Sequence, residues 1–208
     1  MTRTADRTSS PERLADNAAS QYRISHPDPP RSVLLDTNVL LDHLLLREDR
    51  TRPVSAMLKE CVRHDVTLRC AATSLKDIAY ISEMMLRRQF NGRRHHESQS
   101  ASKTVGESTL QDATKRLLTR RIPWHCIERT RALCDIVAID QTICDDTIAL
   151  RDRHDDFEDD LIIAAARRSD SEAVVTSDEK LIEHFPGYCI SPRGMTALLD
   201  ACGRPQSK

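Results

Sequence analysis

The sequence predicts an α/β protein. Short apolar segments alternate with helical ones, the apolar segments are continuous runs rather than every-other-residue patterns, and no internal repeat interrupts the alternation. A continuous run suits a strand buried on both faces, so the expected sheet is parallel, of about four to five strands, with helices covering it.

Each element has its own signal. Ser32-Val33-Leu34-Leu35 opens the ordered part as a first strand ending at Asp36. From Thr37 to Arg47 leucines occupy most of the helical circumference, which predicts a buried helix. Pro53 suits a first helical position, and Val54, Met57, Leu58, Cys61 and Val62 follow at helical spacing. Val66–Ala72 reads as a second strand, and Thr73 to about Phe90 as a helix with Leu75, Ile78, Ala79, Ser82, Met85 and Leu86 along one side. Residues 91–104 (NGRRHHESQSASKT) have loop composition. Helical pattern resumes near Leu110 and is expected to break or kink at Pro123. Ile136–Ile139 is a third strand, followed by helices over Gln141 to about Arg151 and Asp156–Arg168. Ala173–Thr176 is a fourth strand, Glu179–His184 a short helix, and Tyr188–Ser191 a fifth strand; Pro192 opens a last helix to about Ala201.

At 208 residues, 39% hydrophobic and 30% charged, the chain suits one packed domain. That domain is placed at residues 31–201, after a polar extension expected to be flexible (residues 1–30) and before a disordered tail (residues 202–208). No apolar stretch approaches the roughly 20 residues that cross a bilayer. The polar N-terminus has no signal-peptide core, so a cytoplasmic protein with no membrane contact is expected. Seven cysteines without a CxxC pair fit reduced thiols better than disulfides or a zinc ribbon. Five glycines form neither GxGxxG nor GxxxxGK[ST], which excludes the usual nucleotide-cradling loops. There is no GxSxG elbow and no HExxH. Aromatics at 3% argue against a stacking platform for unpaired bases.

The acids carry the chemistry. In an open parallel sheet, ligands bind beyond the carboxyl ends of the strands. Asp36 ends the first strand, Asp77 lies one turn into the helix after the second, and Asp178 lies just past the fourth. Asp156 and Asp159 open the helix leading into that fourth strand. Each has an ordinary alternative: Asp36 as a helix cap, Asp77 as an exposed helix residue beside Lys76, Asp156 and Asp159 as a capping box, Asp178 as a turn residue. Taken singly, those alternatives win everywhere except at Asp36. Together, at successive strand-to-helix transitions, the acids favour a metal site, because converging carboxylates repel one another unless a cation neutralises them. Oxygen ligands without His or Cys point to Mg²⁺ or Mn²⁺, one or two ions.

Leu34-Leu35-Asp36-Thr37-Asn38-Val39-Leu40-Leu41-Asp42 resembles the opening motif of PIN-domain nucleases. Thr73-Ser74-Leu75-Lys76-Asp77-Ile78 resembles the second motif, with Asp where the family more often has Glu. Asp156-Phe157-Glu158-Asp159-Asp160-Leu161-Ile162 is similar to the third and Val175-Thr176-Ser177-Asp178 to the fourth, in the family's order. The resemblance implies a PIN-like three-layer fold and a metal-dependent endoribonuclease, most commonly the toxin of a VapBC-type pair. It assigns Asp36, Asp77, Asp159 and Asp178 as the catalytic acids, with Asp156 as a further metal ligand. Asn38 and Thr176 or Ser177 would orient carboxylates and solvent. Asp160 is expected to face away from the cup, and Asp42 to be solvated. The implied chemistry is attack by metal-activated water, leaving 5′-phosphate and 3′-hydroxyl ends. RNA, a cognate antitoxin and a second copy of the chain are the implied partners. A phosphatase of the haloacid-dehalogenase type also sets Asp after its first strand, but needs a second Asp where this chain has Asn38.

Charge segregation agrees with a nucleic-acid substrate. The net charge is −1, yet residues 87–121 carry nine Lys or Arg against three acids, while residues 135–160 carry ten acids against two Arg. Arg87, Arg88, Arg93, Arg94, Lys115 and Arg116 of the basic segment are the expected phosphate contacts beside the acidic cup. Taken without the motifs, the same charges would read as a solvated helix and loop.

Overall fold

The computed structural model describes residues 19–23, 28–46, 48–97 and 105–203; within its helices the side chains of residues 48, 91–97, 105–109 and 111 are not among those described. The described strands are β1 (Ser32–Leu35), β2 (Thr67–Ala71), β3 (Asp135–Val137), β4 (Ala173–Val175) and β5 (Cys189–Ile190). They form one parallel sheet in the order β3-β2-β1-β4-β5. The helices are α1 (Thr37–Leu44), α2 (Glu48–Arg63), α3 (Ala72–Glu97), α4 (Val105–Leu133), α5 (Gln141–Leu150), α6 (Phe157–Arg168), α7 (Glu179–His184) and α8 (Pro192–Ala201).

Alternation along the strands divides the core into two layers. Val33 and Leu35 of β1, Ala173 and Val175 of β4, and Leu68 and Cys70 of β2 point to one face, where they meet Leu40 of α1, Met57 of α2, Ile78 of α3 and Met195 of α8. Leu34, Val174 and Ala71 point to the other, against Ile143 of α5, Ile163 of α6 and Leu181 of α7. Each such side chain, fully buried, contributes about 1.5–3 kcal/mol. The result is the α/β architecture with a central parallel sheet that the sequence predicts.

The strand order fixes where a ligand can sit. From β1 the chain steps outward through β2 to β3, then returns to pair β4 on the opposite edge of β1. The crevice at such a switch point opens beyond the carboxyl ends of β1 and β4. Those ends are held level: Leu35 pairs with Val175, and the Asp36 N–H donates to the Val175 carbonyl at 2.9 Å.

Several expectations are corrected. Helix α2 starts at Glu48, five residues before Pro53. Asp49 suits the positive helix end, and Pro53 removes only the bond to the Asp49 carbonyl. Helix α3 continues through residues 91–97, since Arg and Glu sustain a helix despite the Asn-Gly pair; residues 98–104 lie outside the described ones. Helix α4 runs unbroken through Pro123, so the expected break there does not occur, and α3 packs along it.

Residues 1–18, 24–27 and 204–208 of the expected extension and tail lie outside the described residues. Residues 19–23, however, form a helical turn whose Tyr22 is fully buried in the α1/α2/α8 layer, so the flexible reading does not hold there. Asp42, expected in solvent, is also fully buried, because α1 is enclosed. Its carboxylate accepts from Ser177 Oγ at 3.4 Å and its carbonyl from Thr51 Oγ1 at 2.8 Å.

The buried turn rests beside Gly187, whose φ of +77° favours glycine; a Cβ there would meet the Gln21 backbone at 3.6 Å, an ordinary contact. Gly187→Ala is therefore expected to cost about 1 kcal/mol through backbone strain alone. A thermal melt should show a fall of roughly 2–4 °C.

Candidate active site

Asp36 ends β1 and stands at the N-cap of α1, with 4% of its surface exposed. Thr176, the first residue past β4, donates through Oγ1 to Asp36 Oδ2 at 2.7 Å, and Asn38 Nδ2 approaches the same oxygen at 3.5 Å. Burial pushes the Asp36 carboxyl up from its ordinary range, and the Thr176 hydroxyl works against that rise. Thr176 Oγ1 also accepts the Asp178 N–H at 3.0 Å, so one hydroxyl ties the end of β1 to the start of α7.

Asp178 and Asp156 both act as helix caps. Asp178 Oδ1 takes the N–H groups of Lys180 and Leu181 at 2.8 and 3.3 Å, starting α7. Asp156 Oδ1 takes those of Glu158 and Asp159 at 3.1 and 3.3 Å, starting α6. Each uses one carboxylate oxygen in this way.

Asp159 is half-buried in the first turn of α6. Burial first, then the charges of Asp156, Asp36 and Asp178, push its carboxyl up to about 6, with His154 opposing. These four acids therefore share one electrostatic field. The same charges reach Cys189 of β5, whose thiol is raised by burial and by Asp36 and Asp159 and stays protonated.

Asp77 comes from α3, where Lys76 Nζ lies 3.0 Å from its Oδ1. Asp36, Asn38, Asp77 and Asp159 all line one cleft of about 680 Å³, with Lys76, Tyr80 and Phe157 on its walls. Asp178 and Thr176 stand behind Asp36, Asp156 caps α6 beside Asp159, and Ser177 turns to Asp42 instead. Among the described residues, no three His, Cys, Asp or Glu side chains stand close enough to hold an ion. The donor chemistry nevertheless suits a hard cation. Asp36, Asp77 and Asp159 line one cleft at the switch point, the Asp159 carboxyl is raised to about 6 by burial and by its acidic neighbours, and the thiol nearby is kept neutral.

Sequence reasoning missed three features. Lys76 is paired with Asp77 inside the cleft. Tyr80 and Phe157, 67% and 64% exposed, flank the acids despite the low aromatic content. Asp160 is buried and meets His154 Nδ1 at 3.0 Å, with the His154 ring packed on His184 and Phe185. That pair anchors the loop before α6 to its first turn, and so holds Asp156 and Asp159 in place. His154→Ala leaves the Asp160 carboxylate without this partner and is expected to cost about 2 kcal/mol, readable as a lower denaturant midpoint.

Of the expected substrate contacts, Arg87, Lys115 and Arg116 line a second cleft between α3 and α4, together with Arg120 of the same basic segment. Arg88 is exposed on α3 outside that lining. Arg93 and Arg94 fall in the last turns of α3, where side chains are outside the described ones.

Residues 32–180 match the family described as PIN domain. No curated relative and no solved structure matches the chain.

Proposed function

The chain belongs to the PIN-domain family, and from that premise we propose that it is a metal-dependent endoribonuclease, the toxin of a VapBC-type toxin–antitoxin pair. The observation that carries the reading is the meeting of Asp36, Asp77 and Asp159 in one cleft at the switch point of the sheet, where burial first and then Asp156, Asp36 and Asp178 push the Asp159 carboxyl up to about 6. A protein that holds such repulsion without a counter-ion loses stability, and a site that binds one uses it.

In this reading Asp36, Asp77 and Asp159 hold Mg²⁺ or Mn²⁺, with Asp178 and Asp156 in their outer field. When bound, the ion supplies Lewis-acid polarisation of a phosphate and a lowered pKa for water. The chain's own residues do the rest. Thr176 and Asn38 fix the orientation of Asp36. Asp178 sets the α7 turn that aims Thr176. Lys76, largely exposed beside Asp77, presents an ammonium to an incoming phosphate. The products are 5′-phosphate and 3′-hydroxyl ends. A cognate antitoxin, a second copy of the chain and a cytoplasmic setting belong to the same proposal; no helix of the described residues is long and apolar enough to cross a membrane.

The experiment is cleavage of an end-labelled structured RNA and a matched DNA, with Mg²⁺, with Mn²⁺ and with chelator. RNA cutting that needs metal supports the reading, and inducible expression that arrests growth supports the toxin assignment. A second reading, a PIN scaffold that binds RNA or a partner without cutting, is favoured by Lys76 holding one oxygen of Asp77. Metal-dependent binding without cutting of either polymer, by folded protein, selects it.

A further inference from the structure

The cleft between α3 and α4 has a volume of about 580 Å³ and is lined by Arg87, Phe90, Lys115, Arg116, Arg120 and Trp124, with Asp112 and Glu83 as its acids, the latter accepting from Arg87 Nε and Nη2 at 2.9 and 2.6 Å. Trp124 is the chain's single tryptophan and is 66% exposed. An indole left in water amid four cations and only two acids sits in a net positive field that suits a polyanion. It is well placed for a base, which offers a π-face and brings phosphates to the surrounding charges.

The cleft is also aligned with the acids. Tyr80 lines the acidic cleft and Arg87 the basic one, both on α3. Seven residues are about two helical turns, so the two side chains emerge from one side of α3, roughly 10 Å apart along its axis. A strand crossing Asp77 and Tyr80 is thereby led toward Arg87 and Trp124.

We propose that this cleft is a subsite for unpaired RNA flanking the cleaved phosphate: one base stacks on Trp124, and Lys115, Arg116 and Arg120 hold the phosphates on either side, with Arg87 shared between them and Glu83. The subsite rests on the ribonuclease reading for its purpose, but not for its detection. A duplex keeps its bases stacked on one another and offers the ring no free face, so the preferred substrate is single-stranded or looped.

Because Trp124 is the only tryptophan, its emission reports this cleft alone. The full chain is titrated in chelator, where cutting is suppressed, with a single-stranded oligouridine and with a blunt RNA duplex. Quenching by the single strand, at about ten-fold or more lower concentration than by the duplex, is expected. By anisotropy, Trp124→Leu should weaken single-strand binding about ten-fold. Lys115→Ala with Arg116→Ala should flatten the slope of log affinity against log salt by about 1.4.

Unchanged emission on adding oligouridine overturns the subsite, as does unchanged affinity and salt slope in the cleft variants. Emission that shifts with protein concentration in the absence of RNA assigns the face to a second copy and also overturns it. The two readings fail separately. Binding with a Trp124 response but no cutting in metal removes the nuclease and keeps the subsite, whereas cutting without a Trp124 response does the reverse.

Discussion

Asp159→Asn is expected to lower metal-dependent RNA cleavage by about a hundred-fold or more, while making the metal-free protein more stable at neutral pH. Both effects have one cause. The Asp159 carboxyl, ordinarily at 3.8, is pushed to about 6 by burial and by Asp156, Asp36 and Asp178. A carboxyl whose folded pKa is raised stabilises the fold below its unfolded value, and that contribution is lost as pH rises through the folded value. The metal-free chain should thus lose stability between about pH 4 and pH 6, and the asparagine variant should not share that loss. A shift of this size would be worth about 3 kcal/mol for a fully shielded group; solvent at half-buried Asp159 reduces it to on the order of 1 kcal/mol. Melts at about pH 7.5 should place Asp159→Asn roughly 2–4 °C above the parent in chelator, with Mg²⁺ closing or reversing the gap. An asparagine variant that melts lower than the parent in chelator would show that the acids do not repel as described.

Thr176→Val carries the second large effect. The valine keeps the shape of threonine but removes the hydroxyl that donates to Asp36 Oδ2 at 2.7 Å and accepts the Asp178 N–H at 3.0 Å. Asp36 then stays buried with less compensation, and its carboxyl, already raised, rises further. Groups that orient a metal-binding carboxylate are typically worth 10–100-fold in affinity or activity, so a loss of about that size is expected. The missing hydrogen bonds should also cost about 1–2 kcal/mol of stability. Thr176→Ser retains the hydroxyl and should restore most of the activity. A merely structural role would show in the melt and leave metal affinity unmoved, so titration of the valine variant with Mn²⁺ separates the two.

The ends of helices were legible where capping chemistry marks them. Glu179–His184 and Pro192–Ala201 carry the bounds read from the sequence, because Asp178 and Ser191 cap them and Pro192 fills the first helical position. The long helices were not. Their facing sides at the α3/α4 cleft are lined by Arg, Lys and Asp, so the apolar periodicity that marks a helix is weak there, and residues 91–97 read as loop. In the site, Asp36, Asp77 and Asp159 were legible as acids at strand-to-helix transitions, and the structure sets them on one cleft. Thr176 was legible only through the motif, and Ser177 behaves differently from its neighbour. Burial of Asp42 was not legible, since its partner Ser177 lies 135 residues away in sequence and only the sheet brings them together. The 3% aromatic content argued against a base-stacking platform, but an average says nothing about where one exposed ring, Trp124, stands.

The central claim is that the acids at the β1/β4 switch point take up a divalent cation, and Mn²⁺ titration of the chelator-treated full chain by electron paramagnetic resonance tests it most directly. Near pH 7.5 the free-ion signal should be depleted by about one or two ions per chain. Depletion should be lost in Asp159→Asn and weaken at about pH 5, where a proton competes for Asp159. A folded chain that leaves the signal undiminished up to millimolar Mn²⁺, or an Asp159→Asn variant that depletes it equally, would contradict the account.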